Sequence, residues 1–163
     1  MSIVSNTSPI SNLAAIGRLQ LLQQVYGSII IPPAVADEVA RVATIYTQAA
    51  AIPTLPWIQV QTVNDTTTVQ RLHRDLDIGE CEAIALALEL NADLLIIDEQ
   101  LGRQVAIDEG LDITGLLGVL LEAKKQELVG TIQPIVDDLI LQARFRVSPQ
   151  VYAEILQMAN EQT

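Results

Sequence analysis

The sequence predicts an open α/β fold, a parallel sheet covered by helices on both faces. Three observations predict it. Short apolar runs alternate with helical patterns along the chain. Leu94-Leu95-Ile96-Ile97 is the clearest strand, apolar throughout. The run from Glu80 to Leu90 is apolar on every side after its first turn, so it reads as a deeply buried helix.

The elements follow in order. Ile3-Val4-Ser5 is a short strand ending at Asn6. Ser8-Pro9-Ile10 starts a helix, with a hydroxyl at the cap and proline at the first helical position. Gly17 divides that helical region, and Gly27 ends it before a strand over Ser28 to Ile31. Pro32-Pro33 opens a helix running to about Ala51. Pro53, Pro56 and Trp57 mark a loop into the strand Ile58-Gln59-Val60. Asn64 to Thr68 reads as turn, and a helix with Leu72 and His73 follows. After the buried helix, Asn91-Ala92-Asp93 is a turn into Leu94 to Ile97. A helix from about Glu99 ends at Gly110, Ile113-Thr114 is a brief edge strand, and Gly115 to Gln126 is helical. Pro134 to Ala143 and Pro149 to Ala159 fit two amphipathic helices joined by the Arg144 to Ser148 turn.

The 163 residues suit a single domain over 1–163, with a core over about 1–130 and a helical C-terminal extension over 131–163. One Phe and one Trp leave the core to Leu, Ile, Val and Ala. Cys81 stands alone and makes no internal disulfide, which fits a reducing compartment. With no secretion-signal pattern and no uncharged apolar run of ~18 residues, the expectation is a soluble cytoplasmic protein without a membrane span. The net charge of −11 speaks against passive binding of nucleic acid through a basic surface. It leaves room for an enzyme that grips phosphate through a metal. Of the basic residues, Arg144 with Arg146 and Lys124 with Lys125 form small pairs that read as solvated surface charge.

Four oxygen-bearing side chains fall where such a sheet would bring them together: Asn6, Glu38, Glu80 and Asp98. Asn6 and Asp98 end strands, where open α/β sheets place their sites. Glu38 shares the apolar stripe of Val35, Val39 and Val42, an uncomfortable place for a carboxylate. The plainer alternative sets it at the stripe's edge, in water or paired with Arg41. Glu80 and Glu82 sit near the positive end of the buried helix, which a simple dipole role would also explain. They lie about 200° apart around the axis. Glu80 therefore takes first place, with Glu82 as a reserve ligand. Asp98 could equally cap the helix that follows it. Converging carboxylates of this kind suit a divalent metal. His73 has no ligand partner at metal spacing, and Cys81 has no histidine partner in sequence context. Phosphate-binding glycine loops and serine nucleophile elbows are both absent.

The four blocks Ile3-Val4-Ser5-Asn6-Thr7-Ser8-Pro9-Ile10, Ile31-Pro32-Pro33-Ala34-Val35 with Glu38, Gly79-Glu80-Cys81-Glu82-Ala83-Ile84-Ala85-Leu86-Ala87 and Leu95-Ile96-Ile97-Asp98 occur in this order. Together they resemble the signature blocks of PIN-domain proteins, in particular a poorly characterised PIN-like subgroup of predicted nucleic-acid-binding proteins. The chain is similar to the toxin ribonucleases of prokaryotic toxin–antitoxin pairs. The resemblance implies a three-layer α/β/α fold with a parallel central sheet. It implies Mg²⁺- or Mn²⁺-dependent cleavage of RNA by Asn6, Glu38, Glu80 and Asp98, with Thr7 and Ser8 on the substrate. It also implies a homodimer and a small antitoxin protein as partner. The chain departs from the family where the first acid is replaced by Asn6. An amide keeps a ligand oxygen but loses a charge, and hard cations prefer carboxylates.

The expectation is thus a metal-dependent endoribonuclease. The alternative is a catalytically weak or inactive PIN-like module that binds RNA or protein. A doubly wound phosphatase is a third class, without the paired aspartates that phosphoaspartyl chemistry uses.

Overall fold

The computed structural model describes residues 1–41 and 49–161. Among these, five strands form one sheet: β1 (Ile3–Ser5), β2 (Ile29–Ile31), β3 (Ile58–Val60), β4 (Leu94–Ile96) and β5 (Ile113–Thr114). The order across the sheet is β3-β2-β1-β4-β5, and every pair is parallel. Helices cover it: α1 (Thr7–Ala15), α2 (Gln20–Tyr26), α3 (Pro33–Arg41), α4 (Thr66–Leu72), α5 (Ile78–Glu89), α6 (Gln100–Asp108), α7 (Leu116–Lys125), α8 (Gln133–Leu141) and α9 (Pro149–Met158). This is the three-layer α/β/α arrangement.

The strand order matters for function. From β1 the chain builds outward through β2 and β3, then returns to the other side of β1 with β4 and β5. The pair β1–β4 is therefore the point where the winding reverses. Helices leave the two strands in opposite senses there, opening a crevice at the carboxyl ends. The register sets Ser5 beside Ile96, so Asn6 and Asp98 both follow the carboxyl ends of neighbouring strands.

Aliphatic burial holds the layers. Ile3, Ile10, Leu22, Ile29, Ile84 and Leu95 have essentially no exposed surface. Each such side chain contributes about 1.5–3 kcal/mol relative to an exposed one. Helix α5 is buried along most of its length, and its alanines Ala83, Ala85 and Ala87 let it press against α3 and β1. Its start is fixed by Asp77, whose carboxylate accepts the Glu80 N–H at 2.9 Å. Gly27 ends α2 at φ +82°, a left-handed conformation that favours glycine.

Several local expectations are corrected. Helix α1 begins at Thr7, so Ser8 is not its cap and Pro9 is its third residue. Proline is tolerated there because the first four N–H groups of a helix have no partner within it. Thr66 to Thr68 are not turn but the first residues of α4, set by Asp65, which accepts the Thr68 N–H at 3.0 Å. The helix expected to run to about Ala51 is α3 up to Arg41; residues 42–48, including Val42, lie outside the described ones, and Ala49–Thr54 is a 3₁₀ turn. The C-terminal helices α8 and α9 touch α1 and α7 respectively. Glu161 fastens this end: it accepts from the Ile132 and Gln133 N–H groups at the start of α8 and pairs with Lys124 at 2.8 Å.

Candidate active site

Asn6 follows the last residue of β1, and its N–H donates to the Ile96 carbonyl oxygen at 2.9 Å. Its side chain is 5% exposed, and Oδ1 is buried without a hydrogen-bond partner. It occupies the cap position of α1 but makes no side-chain capping bond. A buried oxygen left unpaired costs about 1–3 kcal/mol, so a water, an ion or another donor is expected at this atom.

Across the crevice, Asp98 follows Ile97, whose N–H is paired with the Thr114 carbonyl at 2.8 Å. Its Oδ1 accepts the Leu116 N–H at 2.8 Å, at the first residue of α7. The expected alternative role, capping the next helix in sequence, is thus corrected: Asp98 serves α7, not α6. Its Oδ2 is buried without a partner. Burial pushes the Asp98 carboxyl above its ordinary range, opposed by the Leu116 amide and the Arg103 charge. Arg103 is held in place by donating to the Ile97 carbonyl at 2.9 Å. Both side chains crowd over Gly115, where an added Cβ would stand 2.6 Å from Asp98 Oδ1 and 2.7 Å from Arg103 Nη1.

Glu80 lies in the first turn of α5 and is 8% exposed. Burial first, and then the negative charges of Asp77 and Glu99, push its carboxyl up to about 7. Helix α6 is seated against it through Gly102: a Cβ there would meet Ile97 Cδ1 at 2.8 Å and Glu80 Cδ at 3.7 Å. Glu38 is half-buried on α3. It accepts the Thr7 hydroxyl at 2.5 Å, which ties α3 to the start of α1. Its carboxylate occupies the space where a side chain at Gly79 would begin, with Oε2 2.7 Å from that position. Glu38 therefore lies beside the residue preceding Glu80.

The remaining sequence candidates fall as follows. Ser8 accepts from the Asn12 amide at 3.0 Å, on the first turns of α1. Glu82 turns to α3 and accepts the Ala34 N–H at 3.0 Å, so its carboxylate anchors a helix start. His73 is exposed, with Nδ1 3.0 Å from the Leu76 carbonyl. The expectation that Cys81 has no histidine near it is corrected, since its Sγ lies 3.9 Å from His73 Nδ1. Burial, followed by the charges of Asp77 and Glu80, nevertheless pushes the Cys81 thiol up to about 11, which keeps it from acting as a thiolate. Gly79, Gly102, Gly115 and Arg103 were not legible as site residues. Isolated glycines inside helical patterns were the available signal.

Among the described residues, no three His, Cys, Asp or Glu side chains stand together closely enough to hold a metal by themselves. The donors in place are the unpartnered Asn6 Oδ1 and Asp98 Oδ2, with Glu80 and Glu38 on the neighbouring helices. Hard oxygens, one of them neutral, fit a divalent ion that keeps several of its waters. They do not fit an all-protein cage.

Comparison with known proteins agrees with this fold. A family profile described as PIN domain matches residues 2–161. No curated protein matches the chain. With the match spanning nearly the whole sequence, the chain belongs to the PIN-domain family, a family of nuclease type.

Proposed function

We propose that this protein is a divalent-metal-dependent endoribonuclease acting at the β1–β4 crevice. The observation that carries the reading is the pair of buried, unpartnered oxygens, Asn6 Oδ1 and Asp98 Oδ2, on adjacent strand ends. Asn6, Asp98, Glu80 and Glu38 would hold Mg²⁺ or Mn²⁺, partly through water. When bound, the ion supplies an acidified water and neutralises charge on the phosphate oxygens. The chain's own residues do the rest. Glu80, with a carboxyl that titrates near 7, is suited to hold or release a proton at neutral pH. Thr7 holds the Glu38 carboxylate beside the start of α5, and Ser8, one residue on, stands at the entrance to α1 where a phosphate can be contacted.

The test is cleavage of single-stranded RNA with Mg²⁺ or Mn²⁺, comparing the wild-type chain with Asp98→Ala. Cleavage confined to the wild type supports the assignment; equal cleavage by both rejects it. The toxin role, the small antitoxin partner and the homodimer belong to the same proposal. Exposed Leu141 and Met158 on α8 and α9 give a second copy an apolar surface to cover.

A second reading, a PIN-like module with weak or no catalysis, is favoured by one residue. Asn6 brings a neutral amide where a carboxylate would bind the cation more strongly. If Asn6→Asp gains cleavage that the wild type lacks, this second reading holds for the natural chain.

A further inference from the structure

The single Phe and the Arg144/Arg146 pair find a common setting in the loop between α8 and α9. Arg144 takes φ +57°, and the Phe145 N–H returns to the Leu139 carbonyl at 2.9 Å. Beyond this reversal, Phe145 and Arg146 line a cleft of about 650 Å³ whose far wall is α6 and the start of α7. Asp98 stands in its lining, with Arg103 and Gln100 beside it. The cleft therefore opens from the candidate active site.

Its charge is opposite to that of the molecule. The chain carries 20 acidic and nine basic residues. This cleft is lined by two arginines and a single carboxylate, and that carboxylate is Asp98 itself. A guanidinium forks two N–H groups onto a phosphate. A half-buried aromatic ring offers a face to a base, and the Gln100 amide offers both a donor and an acceptor. Phosphate next to a planar, hydrogen-bonding ring is the chemistry of a nucleotide in a single strand.

We infer that this cleft is a nucleotide subsite for single-stranded RNA, with Arg146 on a backbone phosphate next to the cleavage position and Phe145 stacked on the base. Arg103, bonded to the Ile97 carbonyl, is the fixed positive wall, and Arg146 is the exposed one. The inference rests on the ribonuclease reading for its direction, since it places the strand so that its phosphate reaches Asp98.

The experiment measures binding of a labelled ten-nucleotide single-stranded RNA by fluorescence anisotropy, in EDTA so that turnover plays no part, at several salt concentrations. The proteins are wild type, Arg146→Ala, Phe145→Leu, Phe145→Tyr and, as control, Arg18→Ala, an exposed arginine outside the cleft. Arg146→Ala is expected to weaken binding about five- to tenfold and to lower the salt slope by about one. Phe145→Leu should weaken it about tenfold while Phe145→Tyr stays within about twofold, because tyrosine keeps the stacking face. Circular dichroism melts show whether each variant folds, and Arg146→Ala, on an exposed side chain, carries the test alone if Phe145→Leu does not. The inference is overturned if wild type binds no RNA, or if Arg146→Ala binds like Arg18→Ala. Binding that depends on Arg146 in a protein that never cleaves RNA would sink the ribonuclease reading and leave the subsite standing. Cleavage whose KM ignores Arg146 would do the reverse.

Discussion

Asp98 accepts its hydrogen bond from the Leu116 N–H, 18 residues further along, at 2.8 Å. One carboxylate oxygen thus anchors the start of α7 while the other is buried without a partner. The two oxygens do different work, and substitutions separate them. Asp98→Ala removes the anchor and should cost about 1–2 kcal/mol of stability. Asp98→Asn keeps an acceptor for Leu116 and should cost less than about 1 kcal/mol, while losing cleavage as fully as the alanine variant. Urea midpoints report the first difference and an RNA cleavage assay the second. Equal destabilisation by the two variants would show that the Leu116 bond is not what Asp98 contributes.

Glu80 makes the chain's stability depend on pH in an unusual direction. Its carboxyl titrates near 7 when folded and near 4.5 in its ordinary state. Between those values the folded chain holds more protons than the unfolded one, so stability falls as pH rises from about 5 through 7. The loss amounts to at most about 3 kcal/mol. Glu80→Gln should remove this dependence and be more stable than wild type at pH 8. Melting curves without divalent metal, from pH 5 to 8, check it. A wild type whose stability is flat or rising over that range would contradict the environment assigned to Glu80.

Gly79 is required by Glu38. A methyl group at Gly79 would fall on the Glu38 carboxylate, which Thr7 holds from the other side. Gly79→Ala should therefore cost about 1–3 kcal/mol by overpacking. Combining it with Glu38→Ala should recover most of that cost, a coupling that a double-mutant cycle reads directly. Additive costs would show that the two residues do not meet.

At the far end of the chain, Glu161 obeys the opposite pH rule. Burial alone would raise its carboxyl, but the Lys124 bond and the Ile132 and Gln133 amides outweigh this and hold it below the usual glutamate range. Its contribution is present at neutral pH and is lost as pH falls through that lowered value. Glu161→Gln should loosen the start of α8 by about 1–2 kcal/mol at pH 7 and by little at pH 3. Hydrogen exchange at the α8 amides would show this. Protection unchanged at pH 7 would mean that Glu161 does not fasten the tail.

How much of this could be read from the chain depends on the range of each interaction. Asn6 and Asp98 were legible because each ends a short apolar run, and a parallel sheet carries its site at such ends. The Leu116 bond to Asp98 was not. A carboxylate ahead of a helix looks locally like that helix's cap, and nothing nearby in sequence says that a different helix claims it. The same limit hid Gly79, Gly102 and Gly115, whose lack of a side chain matters because Glu38, Ile97 and Asp98 arrive from elsewhere. Ser8-Pro9 misled for a complementary reason. Proline fits any of the first helical positions, so it marks the first turn without fixing its first residue. Arg146 is exposed, as its reading as surface charge expects, and its place in the lining of the Asp98 cleft is a tertiary relationship that no local pattern carries.

Isothermal titration of Mn²⁺ into the metal-free protein, wild type beside Asp98→Ala and Asn6→Asp, addresses the crevice most directly. Wild type should bind the ion with modest affinity and release protons from Glu80 at pH 7, Asp98→Ala should lose binding at least tenfold, and Asn6→Asp should gain it. An Asp98→Ala protein that binds Mn²⁺ as wild type does, or a wild type that binds none, would contradict a cation site at the ends of β1 and β4.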